Sequence, residues 1–203
     1  MNTPNKLTLA RMIATPVFMA TMLIDFPYHY AVSMLLFIAA STTDLIDGKM
    51  ARKYNLVTNF GKFLDPLADK MLTTSAYLGF MFLYSGCYGL QMTIITFIVL
   101  LREFMISSIR LVTAKEGLVV AANIWGKLKT VTQMIGIIAA LVFYSVTEDF
   151  GNIIAGLGWI DIAQLKGVCD IIIMVLFWIS TVLCVISGLI YLIECKDYIN
   201  TKK

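Results

Sequence analysis

Apolar runs dominate the chain, and short polar interruptions separate them. The runs extend from about Leu7 to Ile24, Ala31 to Thr43, Met71 to Tyr84, Leu90 to Leu101, Ile124 to Val146 and Val168 to Ile193. A membrane-crossing helix needs roughly 20 such residues, so this spacing predicts six transmembrane helices in one membrane-embedded domain over 1–203. Several runs are too short unless their polar neighbours also lie in the membrane. The second reaches spanning length only if Ser41–Gly48 continues the same helix, which puts charged residues at membrane depth. Arg11 and Pro16 predict a first helix that bends or that starts in the membrane interface. Gly48 is expected to close the second helix, with a turn over Tyr54–Asn59. The stretch Gly151–Gly167 reads equally well as an interfacial helix or a plain loop. No cleavable signal peptide, internal repeat or low-complexity stretch is expected.

Composition sharpens this picture. Hydrophobic residues make up 59% of the 203 and charged ones 14%, where soluble domains are typically about 45–50% apolar and 25% charged. The mean hydropathy is +0.83. A cytosolic globule, a disordered tail and a nucleic-acid binder are excluded, leaving an all-α polytopic membrane protein with lipid as its solvent. The net charge of +3 is small, so the placement of the basic residues matters more than their sum. Lys and Arg occur at the amino end (Lys6, Arg11), in 49–62, in 110–129 and at the carboxyl end (Lys196, Lys202, Lys203). They are missing from 25–30 and 85–89, and Lys166 stands alone among acids in 147–167. That alternation predicts cytoplasmic amino and carboxyl ends. Cys87, Cys169, Cys184 and Cys195 lack metal-ligand spacing and read as apolar packing residues. His29 falls in an outside turn and receives no catalytic role.

Four aspartates contradict the oily surroundings. Asp44 and Asp47 are three apart near the end of the second helix, and Asp65 and Asp69 are four apart near the start of the third. Each spacing puts a pair on one helix face. Ionisable groups inside a membrane cost several kcal/mol and mark function by default. Four clustered carboxylates must take up protons or bind cations. With no His or Cys among the ligands, Mg²⁺ or Mn²⁺ is favoured, and a pair of such ions is a recurrent device of phosphoryl transfer. The bland alternative pairs these acids with Lys49, Arg52, Lys62 and Lys70.

The segment Asp44-x2-Asp47-Gly48-x2-Ala51-Arg52-x8-Gly61-x3-Asp65-x3-Asp69 resembles the signature of the CDP-alcohol phosphatidyltransferase family at each fixed position. The resemblance implies a six-helix fold, usually homodimeric, that acts on a CDP-linked lipid at the cytoplasmic face of the membrane. It implies that Asp44, Asp47 and Asp65 ligate metal and that Asp69 completes a second metal site. Asp69 is also the implied general base toward the acceptor hydroxyl. Gly48, Ala51 and Gly61 are small where the nucleotide passes the backbone, and Arg52 is implied at the diphosphate. Pro4-Asn5-x2-Thr8-x2-Arg11 resembles the family's element beside the cytidine, with helix capping as the other reading of Asn5 and Thr8.

The motif leaves the acceptor open. Arg102 and Arg110 are eight apart and share a helix face, and Lys127 and Lys129 open the fifth helix. A basic pocket suits an acceptor with its own anion, which Arg binds in a fixed fork. Helix anchoring, or pairing of Arg102 with Glu103, would account for some of these cations instead. Arg102-Glu103-Phe104, Gly126-Lys127-x-Lys129-Thr130 and Asn59–Pro66 resemble the branch that joins CDP-diacylglycerol to sn-glycerol 3-phosphate. Phosphatidylglycerol, inositol phosphate and serine are the alternative acceptors. A cation transporter and a membrane scaffold are the alternatives of another class.

Overall fold

The computed structural model describes residues 2–53, 59–115, 124–156 and 161–199; within these, the side chains of 3, 4, 44–53, 59, 60, 62, 63, 65, 114, 115 and 197–199 are outside the description. Among the described residues the chain is helical throughout, with no strand. The long helices are α1 (Thr3–Leu23), α2 (His29–Lys53), α3 (Asn59–Leu83), α4 (Gly89–Lys115) and α5 (Ile124–Tyr144). A π-helical turn (Ser145–Asp149), a short α6 (Gly151–Gly156) and a long α7 (Ile162–Ile199) follow. Each apolar run of the sequence lies within a helix to within a residue or two at its end, the fifth running from α5 into the π turn.

The helices outrun the apolar patterns that announced them. α2 continues through Gly48 to Lys53, so Gly48 does not close it; a helical glycine costs only about 1 kcal/mol, too little to stop a packed helix. α1 passes through Pro16 unbroken. Proline removes one backbone donor there, and the hydroxyl of Thr15 donates to the Arg11 carbonyl at 2.9 Å in the adjacent turn. The region after Val146 resolves into the π turn and α6, while 157–160 lies outside the described residues.

Among the described residues, four segments are long and apolar enough to cross a membrane: Asn5–Leu23, Gly89–Thr113, Ile124–Asp149 and Ile162–Lys196. His29–Thr43 is a shorter apolar helix. The carboxylates and lysines of α2 and α3 interrupt what would otherwise be two further spans. α7 has 38 residues and is therefore about 57 Å long, well beyond a hydrocarbon core of about 30 Å.

α1 packs on α2 and α3, while α7 packs on α4 and α5; α2 against α5 and α3 against α4 join the two groups. Phe18, Phe37, Tyr77, Phe80, Ile137, Leu141 and Phe177 fill the centre, where the Phe80 and Phe177 rings lie 5.4 Å apart. The outer surface is the inverse of a soluble protein's. Ile13, Leu35, Phe97 and Phe104 are more than half exposed, while Arg11, Thr15, Ser33, Gln133 and Ser180 are buried. Buried Arg11 donates from Nε to the Ala40 carbonyl at 3.1 Å and so ties α1 to α2. Cys169, Cys184 and Cys195 pack inside as expected, but Cys87 is exposed because it sits in the short connection before α4.

Candidate active site

An acidic region and a basic region lie along these helices. The acidic region is built on α2 and α3, which pack on each other and share α1 as a neighbour. Asp44 and Asp47 belong to the last turns of α2, and Asp65 and Asp69 to the first turns of α3. The side chains of Asp44, Asp47, Gly48, Ala51, Arg52 and Asp65 lie outside the described residues. On α3, Leu64, Ala68 and Leu72 turn inward at successive four-residue steps, and Gly61 continues that buried face. Asp69, one position round the helix from Ala68, is exposed.

Asn5, Thr8 and Arg11 are each three apart on α1, and all are buried. Asn2 occupies the capping position of α1, with proline in the first turn. Neither Asn5 nor Thr8 is therefore the helix cap, and that reading of them is withdrawn.

Among the described residues no three His, Cys, Asp or Glu side chains converge on a metal position; Asp69 is the one signature aspartate whose side chain is described. The donor set nevertheless suits a hard divalent cation. Carboxylates alone, in pairs on two neighbouring helices, offer hard oxygen ligands.

The basic region lies where α4 packs on α3 and α7, with the Lys129 side chain reaching across from α5. Arg102 donates from Nη1 to Glu103 Oε1 at 3.0 Å and from Nη2 to Ser187 Oγ at 2.7 Å. Lys129 donates to the same Glu103 Oε1. These side chains are largely enclosed, with 12%, 17% and 6% exposure for Arg102, Glu103 and Lys129. One turn along α4 from Glu103, Lys70 reaches from α3 to Ser107, whose hydroxyl donates to the Glu103 carbonyl at 2.6 Å. Close approach of α7 depends on Gly188: a Cβ there would stand 3.1 Å from Arg102 Cγ and 3.3 Å from Met105 Cε.

Of the four cations expected at a phosphate, the structure turns two inward and two outward. Arg102 and Lys129 meet Glu103. Arg110 and Lys127 are exposed. Arg110 lies along Tyr191, donating from Nε to its hydroxyl at 3.4 Å, with the guanidinium carbon 5.7 Å from the ring centroid. The contact holds the guanidinium in place while leaving it open to solvent. Glu103, Lys70, Ser107, Ser187 and Tyr191 were missed as site residues by the sequence. A carboxylate inside an apolar run was the available signal for Glu103; hydroxyls on α7 gave none.

The family model described as CDP-alcohol phosphatidyltransferase matches residues 1–192. A CDP-diacylglycerol–glycerol-3-phosphate 3-phosphatidyltransferase of Bacillus subtilis is 45% identical over 152 residues, covering 69% of this chain and 76% of the relative. The protein of the same name from Rickettsia bellii is 35% identical over 204 residues, covering 97% of each chain. A probable phosphatidylglycerophosphate synthase of Mycobacterium tuberculosis is 37% identical over 139 residues, covering 67% of this chain and 64% of the relative.

Proposed function

The chain belongs to the CDP-alcohol phosphatidyltransferase family, and on that premise we propose that it is the membrane enzyme that transfers the phosphatidyl group of CDP-diacylglycerol to sn-glycerol 3-phosphate. The products are phosphatidylglycerol phosphate and CMP. The observation that carries the acceptor is identity along nearly the full length to the Rickettsia relative of that activity. A basic region beside the aspartate helices supports it, since a neutral polyol has no use for Arg110 and Lys127 together.

In this reading the membrane holds one six-span domain with both ends cytoplasmic, the site at the cytoplasmic face of the cytoplasmic membrane, and two copies forming a homodimer. Asp44, Asp47, Asp65 and Asp69 hold two divalent ions, Mg²⁺ or Mn²⁺. Bound there, such ions offset the diphosphate charge and make CMP a better leaving group. Asn5 and Thr8 face the cytidine. Gly48, Ala51 and Gly61 let the nucleotide lie close to the backbone, and Arg52 meets the diphosphate.

Arg110 and Lys127 hold the phosphate of the acceptor, with Arg102 and Lys129 adding positive field from behind. This orients the 1-hydroxyl toward the donor. Its oxygen bonds to the phosphatidyl phosphorus, the bond from that phosphorus to the CMP oxygen breaks, and the hydroxyl proton passes to Asp69. Both substrates occupy the site together, so no covalent enzyme intermediate is needed. Purified protein given labelled glycerol 3-phosphate and CDP-diacylglycerol is expected to make a labelled lipid and CMP in equal amounts. Turnover of phosphatidylglycerol, inositol phosphate or serine in its place would reassign the acceptor.

A further inference from the structure

We infer that Glu103 is a positioning residue that sets the acceptor-phosphate site, acting through Lys129 and Arg102 without touching substrate. The inference rests on the glycerol 3-phosphate reading above. It starts from charge. Arg102 and Lys129 both pair with the Glu103 carboxylate, and Lys70 lies against the backbone carbonyl of the same residue, so the network keeps a positive surplus in a largely enclosed place. That surplus favours an anion nearby, yet the network's own cations are not the ones offered to it. Arg102 is spent on Glu103 and Ser187, and Lys129 is buried against Glu103. Among the described side chains of α4 and α5, the exposed cations are Arg110 and Lys127.

These exposed cations sit on the elements that Glu103 joins. Lys127 is two residues from Lys129 on α5, and Arg110 is seven residues, about two turns, along α4 from Glu103 itself. A salt bridge in an enclosed, poorly screened place resists sliding and rotation of one helix past another. Locking Lys129 to Glu103 therefore fixes the amino end of α5 against α4, and with it the separation of Lys127 from Arg110. The same residue extends the frame to the acid helix: Ser107 and Lys70 meet its carbonyl, and Lys70 is the immediate neighbour of Asp69. One residue thereby relates the base that takes the hydroxyl proton to the cations that hold the phosphate at the other end of a three-carbon acceptor. Ser187 and Gly188 on α7 complete the seat of Arg102.

Glu103→Gln keeps the shape and removes the charge, so steady-state kinetics of that variant test the inference. The expected result is a KM for glycerol 3-phosphate raised about tenfold or more, with kcat and the KM for CDP-diacylglycerol changed much less. A purely structural role would move neither KM selectively. The exchange Glu103→Lys with Lys129→Glu restores an opposite-charge pair and is expected to recover most of the lost acceptor affinity. If Glu103→Gln does not fold, Lys129→Met reads the same lock and is expected to show the same selective rise. A normal acceptor KM in either folded variant, an equal rise for both substrates, or an exchange variant no better than Glu103→Gln would overturn the inference. Arg110→Ala separates the two levels: if it too leaves the acceptor KM unchanged, the glycerol 3-phosphate reading itself fails.

Discussion

The basic network at α4 and a second polar cluster at the other end of the bundle make an instructive pair. Both place ionisable groups inside an apolar chain. In the second cluster the Tyr84 hydroxyl donates to Asp170 Oδ1 at 3.0 Å, and Tyr84 and Tyr30 both pack their rings on Tyr144. Asp149, placed by the π turn, accepts from the Ala31 amide at 2.8 Å and satisfies the open end of α2. Glu148 pairs with Lys166, both partly open to solvent. Each of those interactions closes a helix end or joins two helices. Around Glu103 the balance differs, because Arg102 and Lys129 share one carboxylate and Lys70 lies against the carbonyl of the same residue. Buried polar groups that complete one another are sufficient to hold a fold; a buried surplus of one sign points to a ligand.

Substitutions are expected to separate the two regions. The largest effect belongs to the acid helices: Asp69→Asn should fold normally and lose about a hundredfold or more in turnover, the scale of a lost general base. An active Asp69→Asn would remove that role. Next, Arg110→Ala and Lys127→Ala should each raise the KM for glycerol 3-phosphate by about tenfold, the scale of one charge-assisted contact. Neither should change the KM for CDP-diacylglycerol, and a defect confined to the lipid would reassign both residues to the nucleotide. In the second cluster the effect should fall on stability. Tyr84→Phe removes the bond to Asp170 and is expected to cost about 1 kcal/mol, because it leaves a partly buried carboxylate short of a partner. This should show as a lower melting temperature in detergent with kinetic constants retained. Asp149→Ala should cost about 1 kcal/mol, as for a lost helix cap. A selective loss of acceptor binding in either of these two variants would erase the contrast.

The sequence carried the long helices well, because lipid exposure writes itself as unbroken apolar runs. It misjudged where they end. Gly48 looked like the close of the second helix, yet α2 runs on through it to Lys53, since backbone hydrogen bonding continues wherever packing supports it. The π turn was invisible, because an extra residue in a helix leaves no periodic mark in an apolar segment. At the site, paired aspartates were legible from spacing alone, since each pair lies on one helix. The Glu103 network was only partly legible. Its Arg102 partner is adjacent in sequence, but Lys129 and Ser187 come from helices whose rotation no local pattern specifies.

The most direct measurement is the formation of labelled lipid by the purified protein from CDP-diacylglycerol and labelled glycerol 3-phosphate, before and after divalent ions are removed by a chelator. The account predicts a labelled phospholipid matched by CMP, lost on chelation and restored by Mg²⁺ or Mn²⁺. Turnover that survives complete removal of divalent ions would contradict it.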